Sequence, residues 1–217
     1  MKKAILMSIQ PTWVSKILNG EKTLEIRKDA PKEWKDYLSG KTKEKPKSKL
    51  VYIYCTKGNK KESLIADLQP DKVYHPLTEL LHRGVYSIVD EDLIWNDCKK
   101  NILNGKVVAK FTLNEVEEIP TVDKDIEDYA LRPLESIKWW ENLYKKSCLT
   151  EIELNQYLKN KVGYAWHIDN LVIFDKPKEL SEFYKWTDKT MGLHVMPKAK
   201  MVASLTHAPQ SWQFVEV

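Results

Sequence analysis

The amino-acid sequence predicts an α+β fold, in which a mixed or mostly antiparallel β-sheet or barrel is made in pieces, with helices beside it and inserted between its strands. Apolar runs of strand length occur near both ends of the 217 residues, and amphipathic helical patterns separate them. No internal repeat or low-complexity segment interrupts the chain. Because the strand-like segments are spread from end to end, we expect one domain over residues 1–217.

The first quarter of the chain alternates between short strands and short helices. Val14, Ile17 and Leu18 have helical spacing after Pro11, and Gly20 follows where a helix commonly ends. The elements predicted here are a strand at 4–9, a helix from Pro11 to Leu18, a strand at 22–27 with one face exposed to water, a polar loop at 29–49 with one helical turn around 34–38, and a buried strand at 50–55.

Residues 57–104 depart from this β pattern and are predicted to be a helical insertion. Leu64, Ile65 and Leu68 suggest one short helix, and a second begins at Pro76. Strand character then returns. The elements predicted after the insertion are a strand at 106–113, a helix from Pro133, a helix preceded by a capping box of Thr150 and Glu153, and closing strands at 163–174 and 211–217.

The composition is that of an ordinary soluble globular protein, with 42% hydrophobic and 30% charged residues. The three cysteines lie far apart without C-x-x-C spacing, which excludes a disulfide framework and a cysteine-rich zinc site. The apolar run Ala4–Met7 is shorter than the core of a signal peptide, and no run approaches the length of a membrane span. We therefore expect a cytoplasmic protein with no membrane partner.

Several kinds of enzyme site are missing from the sequence. There is no G-x-x-x-x-G-K-[ST] or G-x-G-x-x-G loop for phosphates or dinucleotides, and no G-x-S-x-G turn for a nucleophilic serine. His75 and His82 could share a helix face, but Pro76 intervenes, and we expect no carboxylate or cysteine to complete a metal site there. We expect no metal and no cofactor.

Positive charge is concentrated near the N-terminus. Residues 1–50 hold thirteen basic and six acidic side chains, whereas the whole chain carries a formal charge of +4. The densest run is 41–49, followed by Lys57, Lys60 and Lys61. Such a patch is typical of a protein that binds a phosphate backbone, and it is also typical of a solvated loop, so charge alone leaves both interpretations open.

The segment Gly20–Arg27 places several reactive side chains in a turn and the strand that follows it. Period two puts Glu25 and Arg27 on the same side of the strand, and Lys22 can swing to that side from the turn. Arginine offers a planar fork for phosphate or a base edge, lysine offers a movable charge, and Glu25 can hold either cation or act as a base. The alternative is a surface Glu–Arg pair worth about 0–1 kcal/mol.

The pattern G-x-K-x-x-E-x-R over Gly20–Arg27, preceded by a helix and by a strand ending in Ser8–Pro11, resembles the signature of the ASCH domain, a member of the PUA-like superfamily. Gly163–Ile168 and Pro209–Trp212 are similar to late segments of the longer bacterial and phage-borne ASCH proteins. The resemblance implies a small β-barrel with a helix packed beside a cleft. It covers two parts of the chain, residues 4–56 and 106–217.

The resemblance further implies that the protein binds RNA, a nucleotide or a nucleoside in a cleft lined by the lysine, glutamate and arginine of the motif. A base would stack on an aromatic ring, and the basic run 41–61 would contact the backbone. The candidate ligand-binding residues are Ser8, Lys22, Glu25, Arg27, Trp166, His167 and Trp212.

Two other functions are consistent with the sequence. Some small bacterial ASCH relatives hydrolyse acetylated cytidine, and there a Thr stands at the position of Glu25. The second hypothesis is therefore a small hydrolase acting on a modified nucleoside or RNA, with Lys22 and Glu25 as the catalytic pair and His167 assisting. The third is a docking domain in which the insertion 57–104 binds a protein partner.

Trp166 and His167 are neighbours in a predicted strand, so they face opposite sides of it. Trp166 is either a core side chain or a stacking platform for a base. His167 is either a general base near neutral pH or a structural histidine. The sequence leaves both pairs of alternatives open.

Overall fold

A computed structural model describes residues 2–58, 64–66, 74–76, 102–121, 134–186 and 204–217 of the chain. The α-helices within these residues are α1 (Pro11–Leu18), α2 (Lys32–Leu38), α3 (Leu134–Ser147) and α4 (Glu151–Leu158), and a 3₁₀ helix spans Leu180–Glu182. The strands are β1 (Lys3–Ile9), β2 (Leu24–Arg27), β3 (Lys49–Cys55), β4 (Leu64–Ala66), β5 (Tyr74–Pro76), β6 (Val107–Leu113), β7 (Val116–Ile119), β8 (Gly163–His167), β9 (Asp169–Lys178), β10 (Tyr184–Lys185) and β11 (Trp212–Glu216). The mixed α+β class expected from the sequence is confirmed.

Contacts between residues divide the chain into two compact units, each assembled from separate stretches of sequence. The first unit comprises residues 1–18, 50–111 and 171–217, and the second comprises residues 19–49 and 112–170. The single domain predicted over the whole chain stays a prediction. Most of the predicted insertion 57–104 lies outside the described residues.

The first unit contains a six-stranded mixed sheet in the order β10-β11-β1-β3-β6-β9. β1 is parallel to β3 and antiparallel to β11, and every residue of β1 after Lys3 is buried. Apolar side chains from β1, β3, β6 and β11 form one core with Phe183. The buried members of this core are Ala4, Leu6, Tyr54, Val107, Phe183 and Val215.

The predicted barrel is wrong for this sheet. Its strand order is linear, with β10 at one edge and β9 at the other, and the described strands do not close it. β10 has only two residues, so this edge offers few backbone groups for pairing. Apolar alternation identifies strands, but it carries no information on whether the two edge strands meet, and an open sheet and a barrel therefore have the same sequence pattern.

The second unit contains a three-stranded antiparallel sheet in the order β2-β8-β7. One face of this sheet packs in a core to which α3 and α4 also contribute. The buried members of that core are Leu24, Ile26, Ile119, Trp140, Leu143, Leu154, Leu158 and Ala165. α4 begins with the predicted capping box: the Glu153 N–H donates to the Thr150 hydroxyl, and the Thr150 N–H donates to the Glu153 carboxylate.

Two elements differ from their predictions. Leu64–Ala66 is a strand paired with Tyr74–Pro76, and not the start of a helix. A run of a few apolar residues is compatible with the spacing of a helix and with that of a strand, so the pairing with a second strand decides which one forms. The polar loop at 29–49 contains the two-turn helix α2, and its side chain Trp34 is 1% exposed, so burial of this ring anchors the helix. Within the described part of the chain, no helix combines the length and the hydropathy needed to cross a membrane.

Candidate functional site

The candidate site is built where β2 follows the turn at Gly20. Gly20 has φ of +76°, which glycine adopts without a steric penalty. The Thr23 N–H donates to the Lys146 carbonyl at 2.9 Å, and the Cys148 thiol donates to the Glu21 carbonyl at 3.4 Å. The chain that enters β2 is therefore held along the C-terminal end of α3.

Pairing with β8 determines which side chains of β2 share a face. Glu25 lies opposite Trp166, and Arg27 lies opposite Tyr164. Opposite residues of an antiparallel pair point to the same side, so these four side chains lie on one face. The apolar residues of β2 lie on the other face and belong to the core that includes α3 and α4.

Glu25 forms ion pairs with two cations. Its Oε1 atom lies 3.0 Å from Nη2 of Arg27, and its Oε2 atom lies 3.5 Å from Nζ of Lys22, a distance typical of an ion pair and long for a hydrogen bond. Lys22, Glu25 and Arg27 are 3%, 6% and 7% exposed. The structure therefore brings together the three residues of the predicted motif, which we call the charged triad.

The water-exposed face predicted for this strand is wrong, because all four residues of β2 are buried. The alternative of a surface Glu–Arg pair is wrong for the same reason. Alternation of polar and apolar residues normally indicates one wet face. Here the polar face is buried because its charges are paired, which offsets part of the cost of removing them from water.

Lys22 contacts both Glu25 and the C-terminal end of α3. Its Nζ atom donates a hydrogen bond to the Ser147 carbonyl at 2.6 Å, in the last turn of that helix, where a positive charge is favoured. Burial nevertheless lowers the pKa of Lys22 below its usual value, and the neighbouring Arg27 lowers it further, while Glu25 and Cys148 act in the opposite direction. Lys22 therefore loses its proton more readily than an exposed lysine does.

Arg27 connects the charged triad to α4. Its side chain is hydrogen-bonded to the side chain of Tyr157, and the Lys28 ammonium lies 4.8 Å from the centre of the Tyr157 ring. Burial raises the pKa of Tyr157, and the nearby Arg27 guanidinium opposes that change. Tyr157 is 38% exposed, so the triad borders the surface at this ring.

Sequence reasoning missed Ser147, Cys148 and Tyr157. The capping box located α4, but helical spacing placed Tyr157 with the apolar residues Leu154 and Leu158, both of which are buried in the core. Ser147 acts through its backbone carbonyl, which every residue type has. No sequence signal could therefore have identified that contact.

Trp166 is fully buried. It lies on the same face of the sheet as Glu25, directly across the strand pair. This placement favours the interpretation of Trp166 as a core side chain. Its role toward a ligand stays a prediction.

His167 lies on the opposite face of the sheet from Glu25 and Arg27, because it is opposite Leu24 in the strand register. Its Nε2 atom lies 2.5 Å from Oε1 of Glu117, and Oε2 of Glu117 accepts a hydrogen bond of 2.8 Å from Nε1 of Trp139. The structure therefore does not bring His167 into the charged triad. Glu117 lies fifty residues before His167, and no motif connects the two in the sequence.

Ser8 and Trp212 belong to the first unit. The Ser8 hydroxyl donates to the Pro209 carbonyl at 2.6 Å, and the Ser8 N–H donates to the Ser211 carbonyl at 2.9 Å. Trp212 is half-buried and makes an edge contact with Phe214, with ring centres 5.7 Å apart. Their predicted contacts with a ligand stay predictions.

Most of the basic run that the structure describes in the second unit is exposed. Lys43, Lys45 and Lys47 are exposed, and no ion pair joins any of them to another described residue. Lys41 lies 3.8 Å from Asp36, and the partly buried Lys49 lies 2.8 Å from Glu33. Lys60 and Lys61 lie outside the described residues.

Among the described residues, no group of three or more His, Cys, Asp or Glu side chains could hold a metal ion. At the charged triad, one carboxylate holds two cations. Such a group can bind an anion, donate hydrogen bonds to a base edge, or transfer a proton.

Comparison with solved structures returns proteins that carry the same domain name as the motif. ASCH from Zymomonas mobilis is 13% identical, with a TM-score of 0.47 over 98% of this chain and 87% of that chain. A mutant of that protein, in which one serine is replaced by alanine, gives the same identity and TM-score over 98% and 88% of the two chains. The N-terminal domain of Staphylothermus marinus McrB is 10% identical, with a TM-score of 0.34 over 84% and 82%.

No protein-family model matches the sequence, and no curated protein matches it. At these identities and TM-scores, the likeness to the solved structures assigns no functional role to any residue of this chain.

The charged triad leads to a prediction on stability. Glu25→Gln removes the negative charge between two buried cations, and we expect it to destabilise the protein by about 3 kcal/mol. Urea unfolding followed by circular dichroism measures the change. The matched control is Asp36→Asn, which alters a more exposed carboxylate in the same unit and should change the free energy of unfolding by less than about 0.5 kcal/mol. Equal effects of the two substitutions would contradict the prediction.

The lowered pKa of Lys22 leads to a prediction on pH. Between that lowered pKa and about 10.4, the unfolded chain binds a proton at Lys22 that the folded chain has released, so folding becomes more favourable as pH rises. Relative to Lys22→Met, the wild type should therefore gain stability as pH is raised towards 10. Urea unfolding of both proteins at a series of pH values measures the difference. A difference that stays constant or falls with pH would show that the pKa is not lowered.

Proposed function

We propose that this protein binds RNA, or one nucleotide of it, at the charged triad. The observation that carries the proposal is the buried Glu25 carboxylate held between Lys22 and Arg27. Together the three side chains carry one positive charge when Lys22 is protonated. A phosphate or an electron-rich base edge matches that charge.

The burial of the triad supports this role. Glu25 fixes the position of both cations, so they do not have to be ordered when a ligand binds. In a site from which water is largely excluded, attraction between a cation and a phosphate is stronger than at an exposed surface. The guanidinium of Arg27 adds a planar fork that fits two oxygens of a phosphate or the edge of a base.

The exposed lysines at 43, 45 and 47 support a polymer as the ligand. They belong to the same unit as the triad and lie on a surface segment. Lysines of this kind bind a nucleic-acid backbone without sequence preference, and their contribution falls as salt rises. We infer that the lysine run supplies general affinity and that the triad holds one nucleotide.

Binding of a short fluorescent single-stranded RNA, measured by anisotropy, tests the proposal. Arg27→Ala should weaken binding about tenfold, because it removes a charged group that holds the ligand. Changing Lys43, Lys45 and Lys47 together to Gln should reduce the dependence of affinity on salt, by about 0.7 in log–log slope for each phosphate that a lysine no longer neutralises.

The control changes the exposed helix residues Lys138, Lys145 and Lys146 together to Gln. This variant loses the same charge as the variant of the lysine run, and it should bind RNA nearly as well as the wild type does. If the two triple variants bind equally, general charge accounts for the interaction. If Arg27→Ala binds as tightly as the wild type, the triad is not the binding site.

A second candidate function is favoured by the lowered pKa of Lys22. A neutral lysine amine is a base that can take a proton from water, and the Glu25 carboxylate 3.5 Å away stabilises the ammonium that forms. In the hydrolysis of an acyl group on a modified nucleoside, the resulting hydroxide adds to the acyl carbon, the bond from that carbon to the nucleoside breaks, and the nucleoside leaves with the proton from Lys22. His167 lies on the other face of the sheet, so this candidate uses Lys22 and Glu25 without it.

Incubation with acetylated cytidine tests this second candidate. If the protein is a hydrolase, mass spectrometry should detect deacetylated product, and Lys22→Ala should abolish turnover while the ligand remains bound. Lys145→Ala, at an exposed position of α3, is the matched control and should leave turnover unchanged. Turnover by Lys22→Ala at the rate of the wild type would exclude Lys22 as the catalytic base.

A further inference from the structure

Tyr157 is an exposed aromatic residue at the charged triad. It is 38% exposed, although its side chain is hydrogen-bonded to that of the buried Arg27. The Lys28 ammonium lies over the Tyr157 ring. An aromatic surface, a buried guanidinium and an exposed ammonium therefore meet at one place on the second unit.

These three groups match the parts of a nucleotide. A base offers a flat π-face that stacks on an aromatic side chain, and a phosphate offers oxygens for a guanidinium or an ammonium. Of the two tryptophans expected to stack a base, Trp166 is fully buried. Tyr157 is 38% exposed, and a base that stacks on its ring would replace or flank the Lys28 ammonium that now lies over it.

The contacts of Tyr157 also hold its ring in place. The Tyr157 side chain is hydrogen-bonded to Arg27, and Arg27 is itself paired with Glu25. Helix α4 is stabilised at its start by a capping box, and its residues Leu154 and Leu158 are buried in the core. A ring that is ordered before the ligand arrives loses little conformational entropy when a base stacks on it.

We propose that Tyr157 is the base-stacking residue of this site, and that the ligand is a single unstacked nucleotide whose base lies on this ring and whose phosphate is held by Arg27 and Lys28. The proposal rests on the proposed function, because it assumes that a nucleic acid binds at the charged triad. It further specifies which part of the nucleotide each residue contacts. It also predicts that binding depends on the base and not only on the backbone.

The test compares two probes by fluorescence anisotropy: single-stranded RNA of about eight nucleotides, and an oligomer of the same length whose sugars carry no bases. Tyr157→Ala should weaken binding of the RNA about five- to a hundredfold and leave binding of the abasic oligomer unchanged. Tyr157→Phe keeps the ring and should retain the preference for RNA. Arg27→Ala should weaken binding of both probes.

Ile152→Ala is the matched control, because it truncates an exposed apolar residue of the same helix at 69% exposure. It should bind both probes as the wild type does. A thermal unfolding midpoint of Tyr157→Ala close to that of the wild type shows that this variant is folded. If Tyr157→Ala is unfolded, Tyr157→Leu removes the aromatic ring while keeping an apolar side chain, and the same two probes are compared with Tyr157→Phe.

The outcomes separate this proposal from the one on which it rests. If Arg27→Ala loses RNA binding and Tyr157→Ala does not, the triad binds RNA and Tyr157 stacks no base. If Tyr157→Ala weakens binding of both probes equally, the ring supports Arg27 and the stacking proposal is wrong. If Arg27→Ala binds RNA as the wild type does, the proposed function fails and this proposal fails with it.

Discussion

The local architecture of the second unit depends on the pairing of Glu25 with Lys22 and Arg27. Removing three charges from water is costly, and the cost is offset only while the charges stay in contact. The two-residue spacing on β2 places Glu25 and Arg27 on one face, the turn at Gly20 lets Lys22 return to them, and the Ser147 carbonyl stabilises the lysine. The strand, the turn and the end of α3 must therefore keep a fixed register.

Most of the elements could be predicted from the sequence, because their local signals agree with their packing. The start of α1 at Pro11, the glycine turn at Gly20 after its end and the capping box of α4 are short-range features, and each occurs as expected. Strand pairing is a long-range property. The parallel pairing of β1 with β3 and the open order of the six-stranded sheet have no signature in a single sequence, so the predicted barrel could not be tested before the strands were placed.

The candidate site was predictable to a similar degree. Its three charged residues follow from a compact motif over eight positions, and the structure brings them together. Their burial could not be predicted from the motif, because alternation of polar and apolar residues normally indicates a strand with one face exposed to water. The side chain of Tyr157 and the carbonyl of Ser147 were missed because they come from helices more than a hundred residues along the chain. The side of the sheet on which His167 lies could not be predicted. Alternation along one strand shows that Trp166 and His167 point to opposite faces, but only the pairing of β8 with β2 shows which of them shares a face with Glu25.

The hydrogen bonds between the turn before β2 and the end of α3 have a consequence for the order of folding. The bonds from Thr23 to Lys146 and from Lys22 to Ser147 join positions separated by more than 120 residues. Contacts of such high sequence separation form late, because a long loop must close before they can be made. During synthesis, the residues of the motif therefore leave the ribosome early and acquire their buried environment only once α3 is available. A chain that ended before residue 146 would carry the whole motif and yet have no site.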